Sequence, residues 1–222
     1  MTVRTTSQYL TLVSLSVAFA LFLKWSLISV YRIPSKSMSP TLIPGDFVIV
    51  NKAAYGFKFT PVSSPIVATT PEYGDIVLMK LNENSGTYYI KRVIGKAGDI
   101  VEIKSGQLIV SGKEFHAKKQ DVSSAQNTSL FEVFNEGFEG KNWSILRSQD
   151  YSKKNFGPFT VPAGHYFVLG DNRDSSEDSR QWGAIALSLI KGRVSLVGLS
   201  VDWQDSEGRG RMKWDRFLSV PK

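Results

Sequence analysis

A mainly β fold is what the 222-residue sequence predicts, on three observations. After residue 42, short β-branched and aromatic segments recur, each bounded by Gly-Asp, Asn or Pro. After residue 31 no segment sustains the 3.6-residue apolar period of an amphipathic helix. The one long apolar run sits at the N-terminus, so a core drawn from 42% hydrophobic residues has to be assembled from strands.

In chain order, residues 1–8 read as a short tail and 9–31 as a single transmembrane anchor with its juxtamembrane segment. Thr5 to Leu23 carries no charge, and as a helix its nineteen residues reach about 28 Å, close to the roughly 30 Å of a bilayer core. Lys24 and Trp25 suit the interface that follows. Ala18-Phe19-Ala20 has the small-x-small form of a processing site, but it lies inside the apolar run, whereas a cleavage site follows such a run. An uncleaved anchor is therefore expected. Arg4 on one side and Lys24 and Arg32 on the other leave its orientation unset by charge.

Strands are expected at Phe47–Val50, Ile76–Met79, Tyr88–Ile94 and Ile100–Ile103, with Gly45-Asp46, Gly74-Asp75 and Gly98-Asp99 as lead-in turns. Ser105-Gly106 divides Val101–Val110 into a hairpin, and Ser111-Gly112 is the next turn. Residues 113–158, richer in Lys, Ser, Asn and Glu, read as an inserted, more polar subdomain between the two parts of one β domain, 32–112 and 159–222. His165–Leu169, Val194–Val201 and Met212–Leu218 supply the closing strands.

Composition removes several chemistries. No cysteine means no disulfide, thiol nucleophile or cysteine-ligated metal. The net charge of +7 comes from scattered residues without a basic tract, so a nucleic acid partner is not expected, while lipid contact is. The acidic run from Asp171 has Arg173 at a ligand position of the calcium-loop pattern and no glycine at the sixth, and no metal or cofactor is expected. The two histidines, His116 and His165, give little basis for a Ser-His-Asp triad. Ser188-Leu189-Ile190-Lys191 has Ser-x-x-Lys spacing without the accompanying motifs of penicillin-recognising enzymes. Asn127-Thr128-Ser129 and Asn142-Trp143-Ser144 fit a glycosylation sequon.

A serine activated by lysine survives these exclusions. Free lysine, with a pKa of about 10.4, becomes a base near neutral pH only where burial lowers that value by about 2 to 3 units. In Tyr88-Tyr89-Ile90-Lys91-Arg92-Val93-Ile94, period-2 alternation puts Tyr89, Lys91 and Val93 on one face and Ile90, Arg92 and Ile94 on the other. The same pattern also fits an amphipathic strand whose basic side chains both reach water. Serines held out of helical geometry stand in Ile33-Pro34-Ser35-Lys36-Ser37-Met38-Ser39-Pro40-Thr41-Leu42, between two prolines.

Three motifs in order, Ile33-Pro34-Ser35-x-Ser37-Met38-x-Pro40-Thr41-Leu42, Tyr89-Ile90-Lys91-Arg92-Val93-Ile94-Gly95 to Gly98-Asp99, and Gly170-Asp171-Asn172-Arg173-Asp174-x-Ser176-x-Asp178-Ser179-Arg180-x-Trp182-Gly183, resemble the signature boxes of bacterial type I signal peptidases. The resemblance extends to Ala54-Tyr55-Gly56-Phe57-Lys58 and to about Gly192; the insertion matches only in position.

The resemblance implies two antiparallel β subdomains in the coiled β fold of signal peptidases, behind one N-terminal transmembrane helix. It implies Ser37 as nucleophile and Lys91 as general base. Ser35 would join the oxyanion hole, Ser176 would orient the lysine, and Asp178 with Arg180 would form a supporting ion pair. Ile33, Pro34, Met38, Leu42, Tyr89 and Ile90 would line pockets for small side chains. The implied protein is a monomer of the bacterial inner membrane, with its catalytic domain outside the cytoplasm, acting on signal peptides of exported preproteins. Two other readings share parts of the pattern: a Ser/Lys peptidase that processes itself or one partner, and a non-catalytic anchored β domain that binds exported chains or lipid.

Overall fold

The structure, a computed structural model, describes residues 2–56, 69–120, 131–203 and 210–221. Phe57-Lys58 and the sequon at Asn127 lie outside the described residues, as do the side chains of Arg4, Lys24 and Trp25. The expected N-terminal helix is present as α1 (Thr2–Leu27). Among the described residues, no helix is long and apolar enough to cross a membrane. The rest is mainly β, as expected.

Helix α1 passes directly into β1 (Ile28–Arg32), which is followed by β2 (Asp46–Asn51), β3 (Ile76–Met79), β4 (Tyr89–Gly95), β5 (Ile100–Lys104) and β6 (Gln107–Val110). Residues 113–148 supply β7 (Lys113–Glu114), β8 (His116–Lys119), β9 (Phe131–Phe138) and β10 (Lys141–Ser148). The chain returns through β11 (Phe156–Thr160) and β12 (His165–Leu169) to the short helix α2 (Ser179–Trp182), then β13 (Ile185–Ala186), β14 (Ile190–Asp202) and β15 (Arg211–Met212). The pairings between these strands are antiparallel, and Leu146 makes an isolated parallel bridge with Asn172.

Among the described residues, the strands form three sheets. The largest runs β1-β2-β14-β3-β4-β12-β13, with β15 on β14; a second runs β11-β5-β6-β7, and a third β10-β9-β8. The predicted hairpin turns are in place: Ser105 and Gly106 both have positive φ (48° and 76°), the backbone whose twist suits a two-residue connection. One expectation fails in extent. Of Met212–Leu218 only Met212 is strand, because the chain turns into a 3-10 segment at Trp214–Arg216 and Arg216 is drawn to Asp46 (Nη2 to Oδ2, 2.6 Å) and Thr41 O (2.9 Å).

Strand β3 is buried throughout because it is covered on both faces. Ile76 and Leu78 pack with Ile33, Met38, Leu42 and Val48, while Val77 and Met79 pack with Val93, Tyr166 and Val168. Such double coverage lets an apolar run replace alternation. A third core joins Ile94, Val101 and Phe167 to Phe115, Phe138, Trp143 and Ile145 of the insertion. Phe115, Phe138, Trp143 and Ile145 are thus turned inward from an otherwise polar stretch.

Candidate active site

The proline-bounded serine segment is a tightly bonded loop. Ile33 N donates to Asp46 O (2.8 Å), Ser39 N to Lys36 O (3.0 Å) and Leu42 N to Met38 O (2.8 Å), which leaves Met38 and Leu42 pointing into the core and Ser35 exposed. From the other side the Gly170–Arg180 segment closes on it. Asn172 N donates to Ser37 O (3.1 Å) and Asn172 Nδ2 to Lys36 O (3.3 Å). A methyl group on Gly170 would lie within 2.5 Å of both Ser176 Cβ and Ser37 O, so the first residue of the third motif is glycine for close approach.

Strand β4 delivers the lysine. Lys91 Nζ lies 2.9 Å from Ser37 Oγ, and Ser35 Oγ is 3.2 Å from the same oxygen. Lys91 is only 3% exposed, which removes the solvent-facing alternative left open by its strand pattern. The Trp182 ring lies 5.9 Å from the amine and itself meets Tyr89 edge-on. Burial pushes the Lys91 pKa down to about 8, against the opposing pull of the Asp178 and Asp171 carboxylates. At that value an appreciable share of the amine is neutral near pH 7, with a lone pair able to take a proton from the neighbouring hydroxyl.

Around this pair the third motif is ordered by its own charges. Asp178 caps α2 and accepts from Arg180 Nε and Nη2 (both 2.8 Å) and from Gly170 N (3.0 Å), so the expected ion pair exists and fixes the turn. Ser176 lies beside Ser37, but its hydroxyl donates to Glu177 O (3.3 Å), not to the lysine.

A cleft of about 250 Å³ opens next to Ser37 and Lys91, lined by Ile33, Pro34, Ser35, Met38, Tyr89 and Ile90. Five of the six residues expected to line pockets are thus brought together. Leu42 is not: it is fully buried beneath Met38, turned inward by the Leu42 N to Met38 O bond. Tyr31, Leu78 and Tyr88 complete the wall, and the Tyr31 and Tyr88 rings meet at 5.2 Å.

Two buried ion-pair systems escaped the sequence reasoning. Arg92, on the face of β4 opposite Lys91, grips Asp171 through Nε (2.8 Å) and Nη2 (2.7 Å), and donates to Gly74 O (2.8 Å). Glu136 of β9 is enclosed by Arg173, Arg147 and Trp143. The alternating inward positions of β4 hinted at the first; the second has no local signal. The discarded candidates stay apart. A His165 ring nitrogen bonds Ala163 O, His116 is exposed, and Lys191 bonds Ser188 O and Glu83 at the surface. Among the described residues, no cluster of three or more side chains suits a metal.

An antiparallel β scaffold that sets a serine hydroxyl against a buried lysine has the groups of a hydrolase that works without histidine. A family model described as signal peptidase, peptidase S26, matches residues 6–199, and the chain belongs to that family. Signal peptidase I of Pseudomonas fluorescens is 35% identical over 164 residues, covering 73% of this chain and 58% of that protein. The Pseudomonas aeruginosa protein of the same name is 36% identical, with the same coverages, and that of Aquifex aeolicus is 31% identical over 82% of this chain and 80% of the relative. The chain therefore spans 58% of the length of the two Pseudomonas relatives. A solved signal peptidase I from Enterococcus faecalis is 26% identical over 57% of this chain and 98% of its own, with a TM-score of 0.37, too low to bear on the fold.

Proposed function

We propose that the chain is a membrane-anchored serine endopeptidase that removes signal peptides from exported preproteins, with Ser37 as nucleophile and Lys91 as general base. The observation that carries the reading is the 2.9 Å approach of the buried Lys91 amine to the Ser37 hydroxyl. Ser37 Oγ attacks the scissile carbonyl carbon as its proton passes to the neutral amine. The oxyanion is met by Ser37 N–H and the Ser35 hydroxyl. Collapse breaks the C–N bond, and the Lys91 ammonium returns its proton to the leaving amine. The amine, neutral again, takes a proton from water, whose oxygen attacks the Ser37 ester carbon. Collapse breaks the bond from that carbon to Ser37 Oγ, which recovers its proton from the Lys91 ammonium as the carboxylic acid product leaves.

The apolar cleft, walled by Ile33, Met38, Tyr89 and Ile90, favours small residues before the cut by excluding larger ones. Membrane attachment is supported by the apolar side chains that α1 leaves exposed, Leu10, Leu12, Val13, Leu15, Val17 and Phe22 among them. Exposed Trp214, Phe217 and Leu218 give the β domain lipid-facing groups of its own, as at an interface where aromatic rings settle. We place the protein as a single-pass monomer in a bacterial inner membrane with its β domain outside the cytoplasm, where signal peptides emerge.

The test is cleavage of an A-x-A signal-peptide substrate by the full chain in detergent beside Ser37→Ala and Lys91→Met. Both variants are expected to be inactive, and wild-type kcat/KM is expected to rise with pH through about 8, as the amine loses its proton. Retained cleavage in either variant, or a basic limb near 10.4, sinks the dyad.

A further inference from the structure

Strand β10, part of the polar insertion, is bonded to both segments that hold Ser37. Its Ser144 O accepts from Thr41 Oγ1 of the serine loop (3.2 Å). Along the third motif, Leu146 N donates to Asp171 O (2.9 Å), Arg173 N to Leu146 O (3.0 Å) and Ser148 N to Asp174 Oδ2 (2.7 Å). Asn172, between these bonds, is the residue whose two N–H groups reach the carbonyls of Ser37 and Lys36. The splint is locked at Glu136, a wholly buried carboxylate on β9. It accepts from two Arg173 nitrogens (Nη1 at 2.6 Å; Nη2 on Oε2), from Arg147 Nη2 (3.0 Å) and from Trp143 Nε1 (3.0 Å). Burial alone would push the Glu136 carboxyl up, but the two guanidinium groups hold it below the usual carboxylate range, so it stays charged and keeps its grip.

We propose that Glu136 is a positioning residue for Ser37: by fixing Arg173 it sets Asn172, and through Asn172 the carbonyls of Lys36 and Ser37 and the direction of the Ser37 hydroxyl and N–H. The inference rests on Ser37 being the nucleophile. It gives the insertion a catalytic purpose, as the rigid back of the loop that carries the reacting atom. A carboxylate that merely stabilised the core would affect the whole fold and not this loop.

Hydrogen exchange on the full chain in detergent separates the two roles. In Glu136→Gln the amides of Ser39, Leu42 and Asn172 are expected to exchange at least about tenfold faster while those of β5 and β6 keep their wild-type rates. The kcat for a signal-peptide substrate is expected to fall about tenfold to a hundredfold, with KM and the basic pH limb unchanged. The losses in Glu136→Gln and Asn172→Ala should not multiply in the double variant, because both act through one contact. A uniform rise in exchange, an unaltered loop, an unaltered kcat or multiplying losses would each overturn the proposal. If Glu136→Gln fails to fold, Arg173→Lys, which keeps the charges but loses the two-pronged hold, takes its place in the same cycle. Cleavage retained in Ser37→Ala would overturn the nucleophile assignment and the catalytic half of the inference, and the exchange pattern tests the mechanical half by itself.

Discussion

Lys91 and Arg92 are neighbours on β4, each 3% exposed, and they face opposite sides of the strand. Arg92 is met by a carboxylate in fork geometry and by a backbone carbonyl. Lys91 is met by a hydroxyl and an aromatic ring, with no carboxylate in an ion pair among the described residues, and burial pushes its pKa down to about 8. Equal burial thus has opposite results. A paired guanidinium is a brace, whereas an ammonium at the same depth without a paired carboxylate gives up its proton more readily, which is what a general base would need.

Breaking each half of this comparison gives effects of different kinds. The largest is on turnover: Ser37→Ala or Lys91→Met should lower kcat by at least about ten-thousand-fold in the peptide assay, while leaving the fold intact by circular dichroism. Arg92→Met, by contrast, strands the Asp171 carboxylate in the core and should cost about 3 to 5 kcal/mol in urea unfolding. Asp171→Asn with Arg92→Met should recover part of that loss, since no charge is then left buried and unpaired.

The lysine also leaves a mark on stability. Its folded pKa lies below its unfolded one, so between about 8 and 10.5 the unfolded chain binds the extra proton and stability rises with pH. The gain across that window is on the order of 3 kcal/mol, and Lys91→Met should flatten it in melts run from pH 7 to 11. The smallest effect sharpens the role of Ser176. With its hydroxyl on Glu177 O, Ser176→Ala should change kcat by about fivefold, the worth of one ordinary hydrogen bond. A thousandfold loss would show that the hydroxyl turns to the amine during turnover.

Strand alternation grouped Lys91 with Tyr89 and Val93 on one face but left its burial open, since Arg92 stands between Ile90 and Ile94 in the same way; the motif resemblance singled out the lysine. The serine loop was legible from its prolines and the hairpins from Ser105-Gly106 and Ser111-Gly112. Leu42, expected in the pocket wall from the resemblance alone, is buried in the core beside Met38 and off the cleft surface, a direction that no periodicity addressed. Arg92 and Asp171 stand 79 positions apart, and Glu136 and Arg173 stand 37 apart; partners that meet only through the sheet leave no spacing to read. The insertion looked polar on average because β9 and β10 alternate, and an average conceals a buried face.

The junction of α1 and β1 has a geometric consequence. Strand follows helix at the next residue, and Lys52 N donates to Leu27 O (2.8 Å), so the end of the helix is fastened to the β domain. For a helix embedded in a bilayer, such a joint leaves no slack to pay out. On the proposed membrane-anchored reading, the height of the Ser37 hydroxyl above the lipid would then be a fixed dimension of the molecule.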